Sequence, residues 1–454
     1  MLNINKNTIK DVISLALPAV GEMFLYMTIW VLDTVMVGQY GGKIAVSTVG
    51  LSSQVLYTFV NVFISMGISI AITSLVARHY GAKKYDSAEE YAALGFFIGL
   101  IIALTITLNM FVFSRQILTF GGAENDIVSL GVVYMKIVSI GLFFNMIMNM
   151  FNGLLRGYGN TKTPLIASII INVINLSLDY VLIFGYLGFP ELGVKGAAFA
   201  TAIAQTCGFI FITTYSIKNS KIKLRIKYIK HISIKKLKEL LNLSIPSSMH
   251  EGAMEMSRLL CVFMIMHIGK TAFASNQITT TIEALSFMPG WGFCVAATTL
   301  VGHKIGEKNY EKAREYAYTC MVIGSIFMAL CAILFLICPN FLIKLFIKST
   351  EKEVISLGSR CLMVASVEQI PMGISMILGG ALKGCGDTKT PFIVSLISSW
   401  VIRLPLIYYL IYILNLSVIY VWWITAIQWL FEGIVILILF RKKFKHIIIT
   451  ATNN

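Results

Sequence analysis

The chain has 454 residues, 57% apolar and 13% charged, with a mean hydropathy of +0.79; soluble chains carry about 25% charged residues, so a water-soluble globule is excluded. The net charge of +15 would suggest nucleic acid in a soluble domain, but here the basic residues collect between apolar runs and no nucleic-acid partner is expected. Eight cysteines lie mostly inside those runs without zinc-site spacing, which makes them packing residues.

A span of hydrocarbon needs about 20 apolar residues, and the runs predict twelve, near 13–37, 48–76, 91–113, 131–154, 164–186, 196–217, 241–267, 274–301, 317–338, 357–382, 391–413 and 416–440. Lys6 and Lys10 precede the first run as in a signal peptide, but the run continues to Gly38 without a small-residue cleavage motif, so it reads as a retained span. With the N-terminus inside, the loops on its side hold 26 Lys and Arg, the opposite loops 7, and the spans 4, namely Lys136, Arg258, Arg360 and Arg403. The positive-inside rule then places both termini in the cytoplasm. The expected organisation is a six-span lobe over 1–217, a basic cytoplasmic linker over 218–240, a second lobe over 241–440 and a cytoplasmic tail over 441–454.

The halves repeat. LVARHYGAKKYDSAEEYA at 75–92 returns as LVGHKIGEKNYEKAREYA at 300–317, and GLLRGYGNTKTPLI at 153–166 as GALKGCGDTKTPFI at 380–393. Leu15 and Pro18 correspond to Leu243 and Pro246. Offsets of 225 to 228 mean that a six-span unit is duplicated; an even span number makes the repeat parallel, the plan of transporters that bind near the midplane between two bundles.

Ionisable residues within spans are costly and default to function; the acids are Glu22, Asp33, Asp179, Glu251, Glu255, Glu283, Glu368 and Glu432. Asn172, Asn175 and Asp179 share one helical stripe, and Glu22, Tyr26, Trp30 and Asp33 form another, so that two carboxylate-bearing faces can meet in one pocket. A carboxylate among amide oxygens either coordinates Na+ or, once desolvated, takes up a proton. Glu251, Glu255 and Arg258 share a face of the seventh span: one glutamate pairs with Arg258 and the other attracts a cationic substrate or a second ion, with Glu283 as a further candidate. Arg403 is expected to pair with Glu368 or Glu432, Glu22 and His250 to be structural, and Pro18 to kink the first span as a hinge. GYGNTKT at 157–163 has no glycine before Lys162 and follows no strand, so it is not a phosphate loop; energy is expected from an ion gradient rather than ATP.

These duplicated motifs, with VLDTVMVGQYGG (31–42), NLSLDYVLIFG (175–185) and SFMPGWGFCVAATTLVG (286–302), resemble the multidrug and toxic compound extrusion family over nearly the whole chain. The resemblance implies an all-α membrane protein of twelve helices in two pseudo-symmetric bundles around a central cleft. It implies an antiporter, not an enzyme, that exchanges H+ or Na+ for organic, often cationic compounds. By resemblance the coupling site falls on Asp33, Asn175 and Asp179, with Thr201 joining it; Na+ would sit there or at Glu255. Cys261 takes the place of Asp33 in the second repeat, so the lobes differ chemically. A monomer in the plasma membrane of a prokaryote is expected, needing only the bilayer, the coupling ion and small organic substrates. A flippase for lipid-linked saccharides shares the plan but needs a basic cleft; a membrane enzyme or receptor would show clustered metal ligands or a large extramembrane domain.

Overall fold

The computed structural model describes residues 5–120, 124–225, 227–230, 232–347 and 351–452, without the side chains of Trp30, Val31, Lys43, Met66, Ile229 and Lys230. The Trp30 member of the first-span stripe therefore lies outside the described side chains. The described residues form helices and connecting turns, with no strand among them, because a chain crossing hydrocarbon must satisfy every backbone group within its own segment or a closed barrel.

The long helices, in chain order, are α1 (Lys6–Gly42), α2 (Ile44–Gly81), α3 (Tyr85–Val112), α4 (Asn125–Gly157), α5 (Lys162–Phe184) and α6 (Val194–Asn219). They are followed by α7 (Ile234–Ile268), then α8 (Lys270–Gly306), α9 (Tyr310–Ile337), α10 (Lys352–Gly384), α11 (Lys389–Ile413) and α12 (Val418–Thr452). Among the described residues, eleven of these helices are both long and apolar enough to cross a membrane. The exception is α7, long enough at 35 residues but carrying His250, Glu251, Glu255 and Arg258 along its middle.

Two compact units emerge, residues 21–248 and residues 1–20 with 249–454. The N-terminal stretch of each repeat's first helix thus packs in the unit formed mainly by the other repeat. Both switches lie two residues beyond a proline, Pro18 in α1 and Pro246 in α7.

Each stretch is fastened in the same way. In the unit 21–248 the Tyr91 hydroxyl donates to Glu239, Lys236 donates to Glu90 at 2.5 Å, and Arg225 reaches Glu89 at 2.9 Å. The basic segment 218–240 is therefore strapped to the start of α3. In the other unit Tyr316 donates to Asp11 at 2.5 Å and Thr8 to Glu315 at 2.5 Å, and these four positions match by the repeat offsets.

The repeated motifs make repeated turns. Gly159 and Gly386 take positive φ, at 93° and 86°, where a side chain would be strained. The next side chain ties the turn to the first turn of the following helix: Asn160 Oδ1 accepts from the Thr163 amide at 3.1 Å, and Asp387 Oδ1 from the Thr390 amide at 3.0 Å. Lys83 and Lys308 likewise share a left-handed φ of 56° and 58°. Close helix crossings also recur. Thr73 donates to the Gly153 carbonyl at 3.0 Å and Thr298 to the Gly380 carbonyl at 2.9 Å. A Cβ on either glycine would fall 2.6 Å from a facing carbonyl oxygen, that of Ser69 or Cys294. Small residues let α2 meet α4, and α8 meet α10, backbone to backbone.

Candidate functional site

In the unit 21–248, α1 and α5 bring Asp33 and Asp179 together, each carboxyl group adjoining the other. Asp179 has no exposed surface and Asn175 almost none. Both Asp179 oxygens, Asp33 Oδ1, Asn175 Nδ2 and Thr201 Oγ1 are buried without a hydrogen-bond partner. No ion pair involves either aspartate among the described residues.

A polar wall surrounds the pair. Tyr134 shares a 3.0 Å hydrogen bond with Ser53 and lies beside Thr201 and both aspartates. Tyr57 adjoins Gln205, which accepts from Asn145 at 2.7 Å, and Asn149 donates to Asn145 at 2.9 Å. A recess of about 740 Å³ opens a turn away, lined by Met36, Gln39, Leu176, Tyr180, Phe184 and Tyr186 among others. The Tyr180 and Tyr186 rings stack there at 4.7 Å.

The structure thus brings Asp33, Asn175, Asp179 and Thr201 into one buried cluster and leaves their stripe-mates out of it. Asn172 bonds to its own helix at Ser168 O, 2.8 Å away. Tyr26 is 41% exposed and packs edge-on against Tyr57. Glu22 forms an ion pair with Arg156 at 2.6 Å, both side chains largely buried.

In the other unit Glu255 is the glutamate that pairs with Arg258, at 3.0 Å. Glu251 adjoins Glu255 and Arg258 and, like His250, feels the charge of Lys383. Glu283 on α8 adjoins Glu368 on α10, and Arg403 adjoins both while Arg258 adjoins Glu283. Glu368 is fully buried and both its oxygens lack a partner. Arg403 therefore faces this pair without forming an ion pair with Glu368, and it leaves Glu432 to hydroxyl groups: Ser375, Ser395 and Ser398 donate to that carboxylate at 2.8, 2.7 and 2.6 Å. The sequence places Glu368 among the in-span acids and as a candidate partner for Arg403; its pairing with Glu283 joins helices some 85 positions apart, beyond any periodic signal.

No group of three or more His, Cys, Asp and Glu able to hold a metal occurs among the described residues. The paired carboxyls with amide and hydroxyl oxygens instead fit one small cation or one proton, since adjacent carboxylates out of water repel strongly.

Buried carboxyl pairs inside a duplicated helical membrane protein define a polytopic transporter. The MatE family matches residues 18–181 and again 246–409, and the chain belongs to that family. It is 31% identical over 413 residues, 91% of this chain and 88% of the relative, to the probable multidrug resistance protein NorM of Thermotoga maritima. It is 27% identical over 395 residues, 87% of this chain and 86% of the relative, to the uncharacterized transporter YisQ of Bacillus subtilis. The fold matches an outward-facing MATE transporter of the MOP superfamily with a TM-score of 0.90, at 22% identity over 97% of this chain and 96% of that one. A second match, with a TM-score of 0.88 and 22% identity over 97% of this chain and 96% of that one, is a MOP-superfamily transporter from Pyrococcus furiosus described as having a binding pocket of reversed polarity.

Proposed function

We propose that this protein is a secondary antiporter that exports small organic compounds from a prokaryotic cell, with Asp33, Asn175, Asp179 and Thr201 as its coupling site for H+ or Na+. The observation that carries this reading is the Asp33–Asp179 pair, in which the fully buried Asp179 carboxylate and Asp33 Oδ1 lack hydrogen-bond partners and no basic residue is bonded among the described residues. Such a pair carries one negative charge fewer with a proton or a cation bound than without one, so each cycle moves one charge. One charge gains about 2.3 kcal/mol per 100 mV, which sustains a roughly fiftyfold substrate gradient.

The Glu283–Glu368 pair, with Glu251, supplies a second acidic station that attracts cationic substrate or a second ion; Glu255 is paired with Arg258. The protein works as a monomer in the plasma membrane with both termini in the cytoplasm, the side on which Lys and Arg gather. Pro18 supplies the hinge of α1, where the compact units change over. The aromatic recess beside Tyr180 and Phe184 suits flat or cationic organic molecules.

The test is dye efflux from membrane vesicles under separately imposed pH and Na+ gradients. One gradient drives efflux in the wild type and not in Asp179→Asn. Equal efflux with both gradients collapsed overturns the assignment.

A further inference from the structure

We propose that Glu432, Ser375, Ser395, Ser398 and Gln428 form a binding site for Na+ that is separate from the Asp33–Asp179 cluster. Glu432 is 3% exposed, and Ser398 and Gln428 have no exposed surface. Three hydroxyls from two other helices converge on its carboxylate at 2.6–2.8 Å, and Gln428 Nε2 approaches Oε2 at 3.4 Å. No ion pair reaches Glu432 among the described residues, so its charge is met by neutral dipoles alone.

Gly433 makes the convergence possible. A Cβ there would fall 2.7 Å from the Pro371 carbonyl oxygen, so α12 and α10 touch backbone to backbone and Glu432 reaches Ser375. On α11 the carboxylate grips Ser395 and Ser398, on either side of the point where the helix widens into a π-helical stretch, Ile397–Arg403. Such stretches recur at functional sites.

The donor set fits one small monovalent ion. All its groups are hard oxygens, which select ions such as Na+, Mg2+ or Ca2+ over transition metals, and the single carboxylate balances a single positive charge. Hydroxyls either donate or accept, so the serines that now donate to Glu432 can turn lone pairs to an ion. Ser398 has the alternative acceptor in place, since its Oγ lies 3.0 Å from the Ser395 carbonyl oxygen. Gln428 Oε1 is buried without a partner, an amide oxygen left over for a further ligand. At 2.6–2.8 Å the hydroxyls now bond directly to the carboxylate, so an ion enters as the serines turn away from it, and the tight cradle favours Na+ over the larger K+.

The test uses the full chain in lipid nanodiscs, with thermal unfolding followed while NaCl replaces choline chloride at constant ionic strength. A Na+-dependent rise in the midpoint is expected to persist in Asp33→Asn/Asp179→Asn, which lacks the first cluster, and to vanish when Glu432→Gln is added. KCl should give no such rise. Ser398→Ala keeps the charge and should weaken Na+ binding about tenfold or more, read by equilibrium binding of radioactive sodium to the otherwise native protein; this readout serves if the other variants do not fold. Loss of the Na+ response in Asp33→Asn/Asp179→Asn, a response that survives Glu432→Gln, or unchanged sodium affinity in Ser398→Ala overturns the proposal. None of these outcomes bears on whether the first cluster couples transport, which the vesicle gradients decide.

Discussion

The Glu22–Arg156 pair gives a quantitative test of which buried charges hold the fold and which serve transport. Its atoms lie 2.6 Å apart with side-chain exposures of 6% and 12%, and Asn152 adds a contact to the same Glu22 oxygen at 3.5 Å. Removing one partner leaves the other charge in a dry site, which costs about 3–5 kcal/mol, whereas replacing both with apolar residues of similar volume is often neutral. Glu22→Leu and Arg156→Met should therefore each destabilise by about 3 kcal/mol, and Glu22→Leu/Arg156→Met by about 1 kcal/mol or less. Reversible unfolding in mixed micelles measures the cycle, and efflux is normalised to folded protein. Additive losses would refute the buried-pair reasoning. Lost ion coupling in a stably folded double variant would move Glu22 from scaffold to transport.

Gly153→Ala should destabilise by about 1–3 kcal/mol, because its Cβ would meet Ser69 backbone at 2.6 Å; Gly50→Ala, with open space around it, should gain up to about 1 kcal/mol, and the same unfolding assay compares them. Burial alone would raise the Asp387 carboxyl, but hydrogen bonds from Lys443 and Thr390 outweigh it and hold the group below the usual carboxylate range. Its contribution is therefore complete above the unfolded value, near pH 4, and is lost as pH falls through the lower folded value. The stability gap between wild type and Asp387→Asn should accordingly close under acid, and a gap that widens there refutes the assignment. Glu255→Gln should cost less than about 1 kcal/mol, since Arg258 is 51% exposed; a larger drop in the unfolding midpoint would show a buried role. Tyr316→Phe and Tyr91→Phe should each raise proteolysis or hydrogen exchange at the N-terminal stretch that the tyrosine fastens, residues 6–18 and 234–246 respectively, and unchanged exchange would remove the fastening role.

The features legible in the sequence were those carried by period and repetition. Twelve long helices, the duplicated turns and the Asn175–Asp179 stripe all follow from apolar runs, offsets and helical spacing, and the shared φ of Gly159 and Gly386 shows that the repeat extends to backbone geometry. Periodicity on one helix does not say which neighbour a face meets. Hence Asn172 shared the stripe but bonds to its own backbone, and Glu283–Glu368 needed the packing of α8 on α10 to become visible. The serines around Glu432 read as ordinary small residues of a span; only Gly433, which lets α12 approach α10, turns them into a cradle. The two proline positions were legible as kinks, whereas the change of unit beside them depends on tertiary contacts made by Glu239 and Asp11.

The most direct measurement is ion movement driven by substrate alone. In proteoliposomes loaded with an exported dye and set at equal pH and equal Na+ on both sides, dye leaving down its gradient should draw in H+ or Na+, recorded by an internal pH or sodium indicator. Wild-type protein should show that inward flux, and Asp33→Asn and Asp179→Asn should show none while remaining folded in the bilayer. Dye release by the wild type with no accompanying ion entry, or ion entry undiminished in both variants, would contradict a coupling role for the buried aspartate pair.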